Sequence, residues 1–79
     1  MSTFTNRYAE QIFGILSPLV GSVMAKTIIQ LQCSKIGINE EQLTKDYMHL
    51  ISDNIRKGLV TFLGSESATV VANKIANIS

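Results

Sequence analysis

The sequence has no tryptophan, a single proline, a single cysteine and a single histidine, and little charge of either sign. Each scarcity closes a route. With Cys33 alone, no intrachain disulfide can form. With Cys33 and His49 as the only thiol and imidazole, a tetrahedral zinc site would need two carboxylates as well, an improbable donor set. Charged residues make up 16% of the chain, against about 25% in ordinary soluble domains. Seven Lys and Arg against six Asp and Glu leave a net charge of +1, which provides no electrostatic footprint for nucleic acid and no acidic tail.

What the chain does have is apolar surface, with 46% hydrophobic residues on 79 positions. That balance excludes intrinsic disorder, which needs low hydrophobicity and high net charge. It predicts one domain, 1–79. A chain this short buries only about 60–65% of the surface its unfolded form exposes. Small domains compensate with disulfides, metals or oligomerisation. Oligomerisation is the remedy left, so a homo-oligomer, with a dimer favoured, is expected. The lone thiol suits a reducing cytoplasm. The first ten residues include Glu10 and lack the basic start and apolar run of a signal peptide. Ile12 to Leu31 comes nearest to a membrane span, but Gly14, Ser17, Pro18, Gly21 and Lys26 interrupt it, so no spanning helix is expected.

Punctuation predicts an all-α fold, a bundle of about four helices, two of them long. The first runs from Thr3 or Thr5 to Leu16, with Phe4, Tyr8, Ile12, Phe13, Ile15 and Leu16 at helical spacing. Ser17-Pro18 reads as an N-cap followed by proline at the first helical position. The second helix, Pro18 to Ile36, is apolar on more than one face and is expected to be the buried central helix. Lys35 and Gly37 suit its C-terminal end, a cation at the negative dipole before a left-handed cap. Asn39-Glu-Glu-Gln suits a capped short turn through Leu43, and Thr44 can cap a helix reaching Leu63. Gly58, on the apolar side of that helix, suggests close approach by another backbone, because glycine inside a helix costs about 1 kcal/mol against alanine. Gly64 should stop it, with Ser65 capping a last helix from Glu66 to about Ile78. No β-hairpin pattern appears.

One internal echo stands out. Leu19-Val-Gly-Ser-Val-Met-Ala-Lys-Thr-Ile28 resembles Phe62-Leu-Gly-Ser-Glu-Ser-Ala-Thr-Val-Val71, at a separation of 43 residues. It is compatible with a helix-pair duplication of rough pseudo-twofold symmetry, or with chance. Gly21 and Ala25 share one helix face, and Ala68, Ala72 and Ala76 repeat that spacing over two turns. Rows of small residues let helices approach closely. The five therefore form either tight intrachain packing or a candidate self-association seam.

Catalytic chemistry has little to work with. His49 is the only side chain with an ordinary pKa near neutrality, and Asp53, four residues on, could pair with it as any helix-surface pair does. Cys33 falls near the C-terminal end of its helix, where a thiolate is disfavoured. No Walker-type string occurs, and Glu66 occupies the helix start after Gly64-Ser65 that would otherwise suit an anion. A helix-turn-helix reading of the last two helices would present one Lys against one Glu to a phosphate-rich groove. No catalytic residue, metal ligand or required cofactor is expected. Haem held by His49 with Met24 or Met48 belongs to an alternative, a carrier or sensor enclosing haem, lipid or another apolar ligand in the bundle core.

The stretch Leu16-Ser-Pro-Leu-Val-Gly-Ser-Val-Met-Ala-Lys-Thr-Ile-Ile, with the helix from Leu43 to Leu63, faintly resembles small helical accessory domains appended to bacterial signalling proteins. The likeness covers about the central 50 residues. In those domains proline commonly follows the glycine, and the alanine comes one position earlier than Ala25. The resemblance implies an all-α fold and a signalling accessory role. Together with the apolar surplus it leads to one expectation: a non-catalytic, self-associating regulatory or adaptor module.

Overall fold

A computed structural model describes residues 4–78. Three helices follow one another: α1 over Arg7–Val20, α2 over Ser22–Lys35 and α3 over Met48–Ala76. Two short 3-10 turns, Glu40–Gln42 and Lys45–Tyr47, carry the chain from α2 to α3. Among the described residues there is no strand, so the all-α expectation holds.

Asn6 starts α1. Its Oδ1 accepts from the backbone N–H of Tyr8 at 2.8 Å and of Ala9 at 3.1 Å, filling two of the four donors a helix start leaves unpaired. Its Nδ2 donates to the carbonyls of Leu43 at 2.8 Å and Glu41 at 3.1 Å. One amide thus caps a helix and fastens it to the α2–α3 connection. The helix begins at Arg7 and not at the expected Thr3 or Thr5 (Thr3 lies outside the described residues), because Asn6 rather than a threonine supplies the cap. The Glu10 carboxylate reaches back to the Phe4 N–H at 3.0 Å, and the Phe4 ring meets Phe13 edge-on with centroids 5.9 Å apart.

Pro18 does not open the second helix. It lies in the last turn of α1, and the break comes three residues later at Gly21. The missing N–H removes one ladder bond near a helix end, so the helix tolerates it there. Gly21 takes φ 89° and ψ 158°, a region essentially closed to residues with a Cβ. Its N–H still donates to the Ser17 carbonyl at 2.9 Å, and its own carbonyl accepts from Ala25 at 3.0 Å. The chain therefore turns between two helices on a single residue.

Gly64 takes the same conformation, φ 82° and ψ 162°, and kinks α3, interrupting its helical backbone path. Counted as elements there are three helices and not the expected four, because α3 comprises two helical stretches that meet directly at the Gly64 kink. As elements the two halves of the chain differ: α1 and α2 are separate helices of 14 residues, while α3 is one of 29. The element count therefore does not establish the helix-pair duplication. The likeness is local, in the two glycines and in buried positions at the same offset, Ile12 with Ile55, Leu16 with Leu59 and Ala25 with Ala68.

The end of α2 follows expectation. Gly37 has φ 79°, and the N–H groups of Gly37 and Ile38 return to the carbonyls of Ser34 and Cys33. Asn39 and Gln42 form a reciprocal capping box around the first 3-10 turn. The expected central helix does not follow. Only Ala25, Ile29, Gln32 and Cys33 of α2 are buried, and Val23, Met24 and Leu31 face outward. Three helices can cover one face of each, so the other apolar residues of α2 stay outside. Ile12, Leu16, Ile29, Leu43, Met48, Ile51, Ile55, Leu59 and Ile75 fill the core. Exposed surface totals 4672 Å², close to the roughly 4,700 Å² that scaling gives a folded monomer of this mass.

Two stability outcomes are expected in urea denaturation. Asn6→Ala should cost about 2 kcal/mol through loss of the cap and of the tie to Leu43. Asn6→Asp, which keeps the capping oxygen and loses the donors, should cost about half as much; an unchanged Asp variant would show that the tie contributes nothing. Gly21→Ala and Gly64→Ala should each cost about 1–3 kcal/mol from backbone strain alone, since a Cβ at either site meets no atom within 4 Å. Gly14→Ala, equally uncrowded and without a positive φ, should instead stabilise by about 0.5–1 kcal/mol.

Candidate functional site

The five small residues of the expected seam do not lie together on the surface. Ala25 and Ala68 are fully buried in the core, Ala72 is buried and Ala76 half-buried, while Gly21 is exposed at its turn. Ala72 and Ala76 instead floor a polar cleft with His49, Asp53, Arg56 and Asn73. In this conformation Ala25, Ala68 and Ala72 have almost no surface to offer another chain, and their small volume serves contact within the bundle.

Several large apolar side chains are left exposed, and spacing does not single them out. Val23 is 81% exposed, Phe62 66%, and Leu19, Leu31 and Val70 about half. Phe62 and Met24 line one cleft and Leu19 and Leu63 another, so residues that flank the turn at Gly21 meet residues that flank the bend at Gly64. Both carry apolar residues on their flanks, where a one-residue connection has no chain to cover them.

Between α2 and α3 these residues frame a groove of about 220 Å³. Met24, Ile28 and Leu31, spaced four and three apart, form one wall, and Phe62 closes one end of the other. Gly58, one turn before Phe62, lines the groove, and a Cβ there would meet nothing within 4 Å. The close backbone approach expected at Gly58 is therefore not made within the described residues; the glycine leaves a hollow. Gln32 also lines the groove and is buried, and its Oε1 has no hydrogen-bond partner among the described residues. An unmet buried acceptor is costly, about 1–3 kcal/mol. A hydrophobic count can locate Met24, Leu31 and Phe62 but cannot show that nothing among the described residues covers them.

The polar cleft holds the residues considered for acid–base chemistry. The Asp53 carboxylate is engaged by Arg56 Nη2 at 3.0 Å and Lys57 Nζ at 3.2 Å. The hydrogen bond from Arg56 first, then that from Lys57, holds its pKa below the ordinary value. Ser52 Oγ donates to the His49 carbonyl at 2.9 Å, so its hydroxyl serves the helix backbone. The arrangement is a surface ion-pair fork beside a helix histidine. Among the described residues no cluster of three or more His, Cys, Asp or Glu could hold a metal ion. Among them, too, no helix is long and apolar enough to cross a membrane.

Cys33 is fully buried, and burial first, then the negative charge of Glu40, pushes its thiol up to about 11 from 9.0. The folded state thus holds its proton where the unfolded chain gives it up. Stability should be indifferent to this group below about pH 9 and should fall as pH rises from about 9 toward 11. Thiol labelling near pH 8 should follow unfolding; rapid labelling of the folded protein would contradict the buried placement. Compared with protein-family models, curated proteins and solved structures, the chain matches none.

Proposed function

We propose that the chain is a non-catalytic helical interaction module that self-associates, as a dimer first of all, and acts as a regulatory or adaptor element. The observation that carries this reading is the exposure of Met24, Leu31 and Phe62 around one groove between α2 and α3, with Val23 exposed beside Met24 in sequence. With Leu19 and Val70 the exposed apolar side chains amount to roughly 500 Å², at about 150–250 Å² for a large side chain fully uncovered. That lies within the roughly 300–600 Å² of the largest apolar patch on a typical monomer, a patch that is often functional. The regulatory part rests on the likeness of the segment from Leu16 to Ile29 to accessory domains of signalling proteins. A reducing compartment such as the cytoplasm is inferred from the single buried free thiol.

The carrier alternative has less support. Ligand pockets for drug-sized molecules run to about 300–1,000 Å³ and enclose most of the ligand. The apolar groove has about 220 Å³ and opens to solvent, while large aliphatic side chains fill the centre where haem or lipid would lie.

Self-association makes two measurable demands. Molar mass by light scattering should rise above the 8.7 kDa monomer across the micromolar to millimolar range, and the melting temperature should rise with it by mass action. Phe62→Glu should return the mass to the monomer while leaving the helical circular dichroism unchanged. A wild-type chain that stays monomeric throughout that range overturns the reading.

A further inference from the structure

Resting on that self-association, we propose its geometry: two copies pack α3 against α3 in antiparallel fashion, the Phe62 ring of each seated over Gly58 of the other. Gly58 and Phe62 lie on one face of α3, one turn or about 6 Å apart along the axis. One is a hollow where an added Cβ meets nothing within 4 Å, and the other is an aromatic ring left 66% exposed. A twofold axis through that face, midway between the two residues, sets each Phe62 opposite a Gly58. Knob and hollow on the same helix face are thus self-complementary, which is what an isologous interface requires.

The surroundings fit the same occupant. Met24, Ile28 and Leu31 of α2 flank the hollow and give the incoming ring apolar walls. Among the described residues, Lys35 is the one charged side chain lining the groove, at the last turn of α2. With Phe62, the exposed parts of Met24 and Leu31 supply on the order of 300 Å² of apolar surface, a suitable centre for an interface of roughly 800 Å² per partner. Gly58 also acquires a reason. Glycine costs a helix interior about 1 kcal/mol against alanine, and no contact among the described residues requires its lack of a side chain. Approach by a second helix does.

Two single substitutions and their mixture test the seating. Gly58→Phe fills the hollow and Phe62→Ala removes the knob. Each variant alone should weaken dimerisation at least tenfold, with helical circular dichroism retained, because ring meets ring in the first and hollow meets small side chain in the second. Mixed in equal amounts, they should form a heterodimer by native mass spectrometry. One half of that interface sets the introduced ring against the truncated side chain, and the other half keeps the native pair of Phe62 and Gly58. Single variants that dimerise like the wild type, or a mixture that stays monomeric, overturn the seating while leaving self-association standing. A wild-type chain that is itself monomeric under the same conditions overturns the proposed function beneath it.

Discussion

Two helices joined by a single residue leave no chain to cover the corner between them, and much of this molecule follows from that constraint. Gly21 can take φ 89° because it has no Cβ. The hydrogen bonds on either side of it run without interruption, so α1 and α2 meet with no loop to spare. Gly64 imposes the same backbone geometry on α3. The residues flanking each glycine must then point outward or into the adjoining clefts. Leu19, Val23, Met24 and Phe62 are exposed for this reason, and Met24 and Phe62 share one groove.

The other end of the molecule is closed by the opposite device, a side chain that makes every bond available to it. Asn6 accepts twice from the start of α1 and donates twice to the carbonyls beyond Asn39. The connection it holds is itself capped by Asn39 and Gln42. Leu43 and Met48, on either side of the second 3-10 turn, are then pressed into the core. Polar contacts thus finish one end while the corner end stays apolar, and the two ends differ in what they can offer a partner.

Where sequence reasoning succeeds, the signal is local chemistry: the left-handed Gly37 after Lys35, the capping box at Asn39, the absence of strand alternation. It fails where the answer depends on which of two local signals dominates. Pro18 reads as a helix start because its N–H is dispensable there, yet it is also dispensable in a last turn, and the glycine three residues on makes the real break. The periodicity of α2 shows that it is apolar nearly all round, a pattern equally suited to a buried helix and to one with a second, unpartnered face. The alanine row is legible as close packing, but spacing alone cannot say whether the neighbour is the same chain or another. Gly58 carries the most usable hint, since a glycine on the apolar side of a long helix needs a reason, and the contacts of the described residues do not supply one.

The surface area bears on what kind of association this can be. A chain that required its partner in order to fold would expose far more than a closed monomer of its mass. Here the exposed area matches the monomer scaling, and the core is filled by the chain's own aliphatic side chains. The uncovered apolar residues therefore sit on a finished fold, in the manner of a face added to it. Joining two finished folds costs translational and rotational freedom of at least about 4 kcal/mol before any contact contributes. In the proposed dimer a small apolar centre around one aromatic ring would leave a modest surplus over that cost. The equilibrium of the proposed dimer would then lie where changes in concentration, or a competing helix with a ring to offer, can move it. That sensitivity is what a regulatory module needs and what an obligate dimer lacks.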